Sequence, residues 1–112
     1  MLKTEIKNKI QKLSAEYSKE MIELRRTIHS NPETAFKEFE TTKLLYNRLN
    51  KKGLDKVSRI SETGLYALLS GNRGKCIALR ADIDALPITE NTGLKFASRN
   101  PGIMHACGHD AH

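Results

Sequence analysis

The sequence predicts an α/β fold, two helices followed by a strand and a β-hairpin, and three observations carry the prediction. Apolar residues recur every three or four positions through the first half of the chain, as on one face of a helix. After Gly53 that spacing gives way to short apolar runs bounded by glycine and polar residues, the pattern of strands and turns. From Asp82 onward the periodicity fades, and acids, Pro87, Gly93, Pro101 and Gly102 mark loop and short strand.

The first helix rests on Leu2, Ile6, Ile10, Leu13, Tyr17, Met21, Leu24 and Ile28, spaced by fours and threes. It should run through about residue 30 and stop before Pro32, because a proline disfavours helical geometry in the residue preceding it. Pro32 and Glu33 can open a second helix over about residues 33–51, with proline tolerated and an acid favoured in a first turn. Phe36, Phe39, Leu45 and Leu49 would form its buried stripe, and Gly53 is placed to end it.

Leu54–Ile60 shows some alternation and reads as a strand. Residues 64–70 (GLYALLS) and 75–81 (KCIALRA) are apolar runs joined by Gly71-Asn72-Arg73-Gly74, a turn of the kind that links antiparallel strands.

At 112 residues the chain has room for about one domain. Three Phe, three Tyr and no Trp leave burial mainly to aliphatic side chains. The net charge of +6 invites a nucleic-acid reading, but the excess lies mainly in the first 56 residues, where bases alternate with acids along helices. No aromatic strand motif or zinc-finger spacing accompanies it, and no run approaches the roughly 18 apolar residues that span a bilayer. Neither a nucleic-acid nor a membrane partner is expected. Cys76 and Cys107, in a chain with charges scattered through its first residues, read as free thiols or metal ligands of a soluble cytoplasmic protein.

Chemistry concentrates in the last eight residues, His105-Ala106-Cys107-Gly108-His109-Asp110-Ala111-His112. They hold four of the chain's six His and Cys residues, where composition alone would place about 0.4. Thiolate and neutral imidazole suit zinc-like ions, and residues two apart in extended backbone point to the same side. Cys107 and His109 therefore form a candidate half-site, with His105 on the same face. Such a pair needs further ligands, and Asp82 and Asp84, again two apart at the end of an apolar run, are the local candidates.

The segment LRADIDALPITENTGLKFASRNPGIMHACGHDAH, together with LRRTIHSNPETAFKEFETT upstream, resembles the N-acyl-amino-acid amidohydrolases. That metallopeptidase family includes hippurate hydrolases, plant auxin-conjugate hydrolases and N-acetyl-diaminopimelate deacetylases. The resemblance covers roughly residues 20–112. It implies the N-terminal portion of a zinc-exopeptidase-like catalytic domain, two helices followed by strands of an incomplete mixed sheet, with the rest of that domain and a lid and dimerisation domain lying after residue 112. Because further strands are expected from that missing part, an exposed apolar face or a row of unpaired backbone groups should remain.

By the same resemblance, Cys107 and His109 match metal ligands, and Asp84 matches the catalytic-site acid that orients a metal ligand. Asp82 receives no ligand role, and His105 and Asp110 are expected to support the site. His29 and Glu33 are expected to close the first helix against the second. The resemblance further implies two divalent ions (zinc, manganese, cobalt or nickel), a small N-acyl amino acid as substrate and a homodimeric complete enzyme. The general base, a Glu-Glu pair and further histidines would lie beyond residue 112, so this chain alone should be inactive. The alternative is a non-catalytic module in which His105, Cys107 and His109 hold one metal.

Overall fold

A computed structural model describes residues 2–71 and 74–112. Helix α1 spans Leu2–Ser30 and helix α2 Phe39–Asn50, followed by strands β1 (Lys56–Arg59) and β2 (Leu65–Leu68) and a 3-10 helix at Gly108–Ala111. At ~1.5 Å per residue, α1 is about 43 Å long. It accounts for most of the molecule's 50 Å long axis.

The first helix ends where the sequence places its end. Asn31 N–H donates to the Ile28 carbonyl at 3.0 Å, and the side chains of Ser30 and Asn31 both donate to the Thr27 carbonyl. These bonds satisfy carbonyls that a helix terminus leaves without partners. The apolar stripe from Leu2 to Met21 is exposed along its length, although the Lys52 ammonium lies over the Tyr17 ring, 5.0 Å from its centroid.

The second helix begins six residues later than the expected 33. Residues 34–38 are used differently: Thr34 bridges Ala85, and Lys37 N–H turns back to the Thr34 carbonyl at 2.9 Å. Phe36 sits at φ 63, a left-handed conformation unusual for a bulky residue. Phe36 is consequently 87% exposed, and Phe39 is exposed as well, so neither belongs to a buried stripe.

Glu33 keeps its expected link between the helices by capping α2 from a distance. Its two carboxylate oxygens accept from the Glu40 and Thr41 amides at 3.1 and 2.8 Å. Glu33→Ala should therefore lower stability by about 1–2 kcal/mol, the usual worth of a helix cap. Urea denaturation measures it, and a loss below about 0.5 kcal/mol would show that the cap contributes nothing.

The strand at 56–59 falls within the expected 54–60, but the pairing differs from expectation. β2 pairs antiparallel with β1, Lys56 opposite Leu68 and Arg59 opposite Leu65, rather than with residues 75–81. Gly64, at φ 78, closes the connection, and its N–H donates to the buried Thr42 hydroxyl at 2.9 Å, which ties the hairpin to α2. The predicted turn at 71–74 has Asn72 and Arg73 outside the described residues.

Residues 75–81 form no ladder with any described residue. Ile77 is 85% and Leu79 97% exposed. A continuous apolar run of this kind is stable as a strand only when both faces are covered, and no described element covers either. The sheet among the described residues is thus a two-stranded one, and the apolar run at 75–81 lies outside it.

The buried residues among those described are mostly polar: His29, Ser30, Glu38, Thr41, Thr42 and His105, with Ala85 and Pro32. They gather where the end of α1 meets α2 and the segments around residues 85 and 105. That junction is the most enclosed part of the molecule and carries the candidate site.

Candidate metal centre

Two chain segments are brought side by side at this junction. The Ala85 N–H donates to the Glu33 carbonyl at 2.8 Å. Leu86 and Met104 exchange backbone hydrogen bonds of 2.9 and 3.0 Å. With Met104 fixed beside Leu86, the chain continues through an extended Cys107 into the 3-10 helix, where Asp110 N–H donates to the Cys107 carbonyl at 3.1 Å. Asp82 and Asp84 end one segment; Cys107, His109 and His112 lie on the other.

His109 Nδ1 is 2.9 Å from Asp84 Oδ1. An ionised carboxylate can only accept, so the shared proton sits on Nδ1 and the lone pair is left on Nε2. A carboxylate behind an imidazole is the arrangement that orients a metal-binding histidine and raises its basicity. The pair therefore fits the metal that the sequence pattern implies, with Asp84 in the orienting position.

Asp82 stands on the other side of the ring, its Oδ2 3.7 Å from His109 Nε2 and 3.8 Å from His112 Nδ1. The rings of His109 and His112 stack with centroids 5.6 Å apart. Arg80 donates to Asp82 Oδ1 at 2.8 and 3.2 Å, and this holds the Asp82 carboxyl below its ordinary range.

The extended geometry that would put His105, Cys107 and His109 on one face ends at Cys107. Because Gly108–Ala111 is a 3-10 helix, the two-residue rule does not carry to His109. Cys107 is exposed, whereas His105 is 3% exposed with neither ring nitrogen hydrogen-bonded. Burial pushes its pKa down. Among the described residues no three His, Cys, Asp or Glu side chains form a metal-holding group, so the single-ion module built on His105, Cys107 and His109 is not assembled.

His29 departs from expectation too. It reaches Asp110 and Glu90, through Nδ1 at 2.7 Å and Nε2 at 3.1 Å, instead of α2. Arg25 completes the cluster on the other oxygen of Asp110. Asp110 thus joins the end of α1 to the 3-10 helix, while Glu90 has no local sequence signal, lying 61 residues from its partner. Arg25 could have been found, since it stands four residues before His29 in the LRRTIH segment.

Comparison with known proteins finds relatives for the whole of this region. The model of the peptidase family M20/M25/M40 matches residues 78–112, the stretch from the exposed apolar run through the 3-10 helix. An N-acyl-L-amino acid amidohydrolase from Geobacillus stearothermophilus is 44% identical over 107 residues, 95% of this chain and 29% of that protein. An N-acetyl-L-cysteine deacetylase from Bacillus subtilis is 50% identical over 95 residues, 84% of this chain and 23% of that protein.

Among solved structures, a dinuclear metal binding peptidase of the M20 family from Bacillus subtilis superposes with a TM-score of 0.80 at 44% identity. The match covers 88% of this chain and 28% of that one. The chain spans less than a third of the length of each of these proteins. Its helices and hairpin superpose on part of that fold, and the chain is similar to a portion of the M20/M25/M40 peptidases.

Proposed function

We propose that this chain supplies part of the metal-binding wall of an amidohydrolase that cleaves the amide bond of N-acyl amino acids or similar small amides. The Asp84–His109 hydrogen bond, inside the family-matched segment, carries the reading. The Geobacillus and Bacillus relatives named for N-acyl amino acid and N-acetylcysteine substrates support the substrate class.

In this reading Cys107 and His109 would hold a divalent ion. Asp84 keeps the His109 proton on Nδ1, which would leave the Nε2 lone pair available to the ion. A pair of bound zinc, manganese, cobalt or nickel ions would polarise the amide carbonyl and lower the pKa of a water. The proton-transferring base and the remaining ligands come from sequence outside these 112 residues, and the chain alone is inactive. The complete enzyme is a cytoplasmic homodimer; the free thiols of Cys76 and Cys107 support a reducing compartment.

The test is a chimera in which this chain replaces the matching segment of the Geobacillus amidohydrolase, assayed for amine release from N-acetyl and N-benzoyl amino acids. The chimera should turn over in a metal-dependent manner while the 112-residue chain stays at background. Cys107→Ala and His109→Ala should each reduce chimera turnover by about 100-fold or more, as loss of a metal ligand costs at least what loss of its orienting partner does. Full activity in either variant, or turnover by the short chain alone, would remove the basis of the proposal.

A further inference from the structure

Several side chains that the metal reading leaves without a task converge at the last turn of α1. Arg25 and His29, four residues apart, occupy both carboxylate oxygens of Asp110. His29 Nδ1 lies 2.7 Å from Oδ1, and Arg25 Nη2 and Nε lie 2.6 and 3.0 Å from Oδ2. The other ring nitrogen of His29 is 3.1 Å from Glu90 Oε1, and Glu90 Oε2 accepts from the Ser98 N–H at 2.6 Å. With a carboxylate on each ring nitrogen, His29 donates from both and is an imidazolium. It is 3% exposed, so this ionic contact is shielded from solvent.

Asp110 directly follows His109, and its own N–H closes the turn onto the Cys107 carbonyl. Gripping its carboxylate therefore sets the orientation of the backbone from which the His109 ring projects. The same grip is anchored in a long helix, a more rigid support than the loops on either side.

We propose that His29 is a positioning residue for the metal centre, acting through Asp110 to hold the Cys107–Ala111 turn so that His109 meets Asp84. The inference rests on the metal reading above for its effect on ion affinity, but its geometry is a property of the metal-free chain. Glu90 has the subordinate task of holding the far side of the His29 ring.

The two nitrogens of His29 can be deleted separately. An asparagine amide nitrogen lies as many bonds from the backbone as Nδ1, and a glutamine nitrogen as many as Nε2. His29→Asn can still donate to Asp110 and loses Glu90; His29→Gln can still donate to Glu90 and loses Asp110. Two readouts apply to the 112-residue chain: the ring nitrogen resonances of His109, which report its tautomer, and cobalt(II) titration followed by thiolate-to-cobalt absorption.

His29→Gln should disturb the Nδ1-protonated state of His109 and weaken cobalt binding 10- to 100-fold, while His29→Asn stays within about threefold of the native chain. Asp110→Asn, which keeps one good acceptor where two are needed, should show the same change in smaller measure and allows the inference to be read if His29→Gln does not fold. Equal effects of the Asn and Gln variants, or an unchanged His109 spectrum in His29→Gln and Asp110→Asn, would overturn the positioning role and leave His29 as a stabilising contact alone. If the native chain shows no cobalt absorption that depends on Cys107, the metal reading fails; the His109 resonances then still decide whether His29 positions the turn.

Discussion

Cys107→Ala is expected to abolish what zinc binding this chain possesses. Cys107 and His109 are two strong donors without a third or fourth ligand beside them, since no larger group of His, Cys, Asp or Glu forms among the described residues. Isothermal titration of the native chain with zinc should accordingly show no tight one-to-one site. Loss of the thiol should remove the remaining heat signal.

A self-sufficient zinc module behaves differently. Its ion contributes roughly 10–16 kcal/mol at neutral pH and controls folding, so a chelator unfolds it. Here the buried junction is held by hydrogen bonds that involve neither Cys107 nor His109, among them Glu33 on α2 and Leu86 against Met104. A chelator should therefore leave the circular dichroism spectrum nearly unchanged. Tight stoichiometric zinc with unfolding on chelation would favour the structural module over half of a larger site.

Asp110→Ala should be the most destabilising single truncation at the junction, by about 3 kcal/mol, because it strips a buried cation of one of its two partners. The loss is limited by the ability of His29 to release its proton and of the exposed Arg25 to be solvated. Thermal or urea unfolding measures it, and a cost under about 1 kcal/mol would mean that the ion pair is worth no more than a surface one.

The same cluster makes stability depend on pH, with signs that follow from its two enclosed ends. Burial works against the charge on His29, but hydrogen bonds to Asp110 and Glu90 outweigh it and raise the pKa above 6.5. The stability this contributes is complete below 6.5 and is lost as pH climbs through the raised value. Glu90 moves the other way. The Thr92 hydroxyl foremost, then the Ser98 amide and His29, bring it down to about 2 against the opposing effect of burial. Its contribution is present above the ordinary 4.5 and is lost as pH falls toward 2.

The melting temperature should therefore peak between about pH 4.5 and 6.5 and fall on both sides. In Asp110→Ala the alkaline fall should shrink, since the larger of the two contacts that keep His29 charged is gone. A native melting temperature that stays flat from about pH 5.5 to 8.5 would show that His29 is not held as an imidazolium.

What could be read directly was local. The end of α1 before Pro32 follows from proline's effect on its neighbour, and β2 lies inside an apolar run flanked by Gly64 and Gly71. The density of His and Cys at residues 105–112 and the two aspartates at 82 and 84 singled out the segments that the structure brings together, with Asp84 against His109. Each of these signals is carried by residues close together or by a motif whose parts stand in one stretch of chain.

Tertiary structure alone decided the rest. Residues 65–68 have the same apolar character whichever neighbour they pair with, so the choice of 56–59 over 75–81 depended on Gly64 docking against Thr42 and α2. Pro32 and Glu33 satisfy the local rules for a helix start, yet the bridge from Thr34 to Ala85 claims that backbone first. His29 meets Asp110 and Glu90 across 81 and 61 residues of chain. Spacing and composition report which face or chemistry a residue favours, whereas the partner of a buried charge is set by which distant segment packs against it.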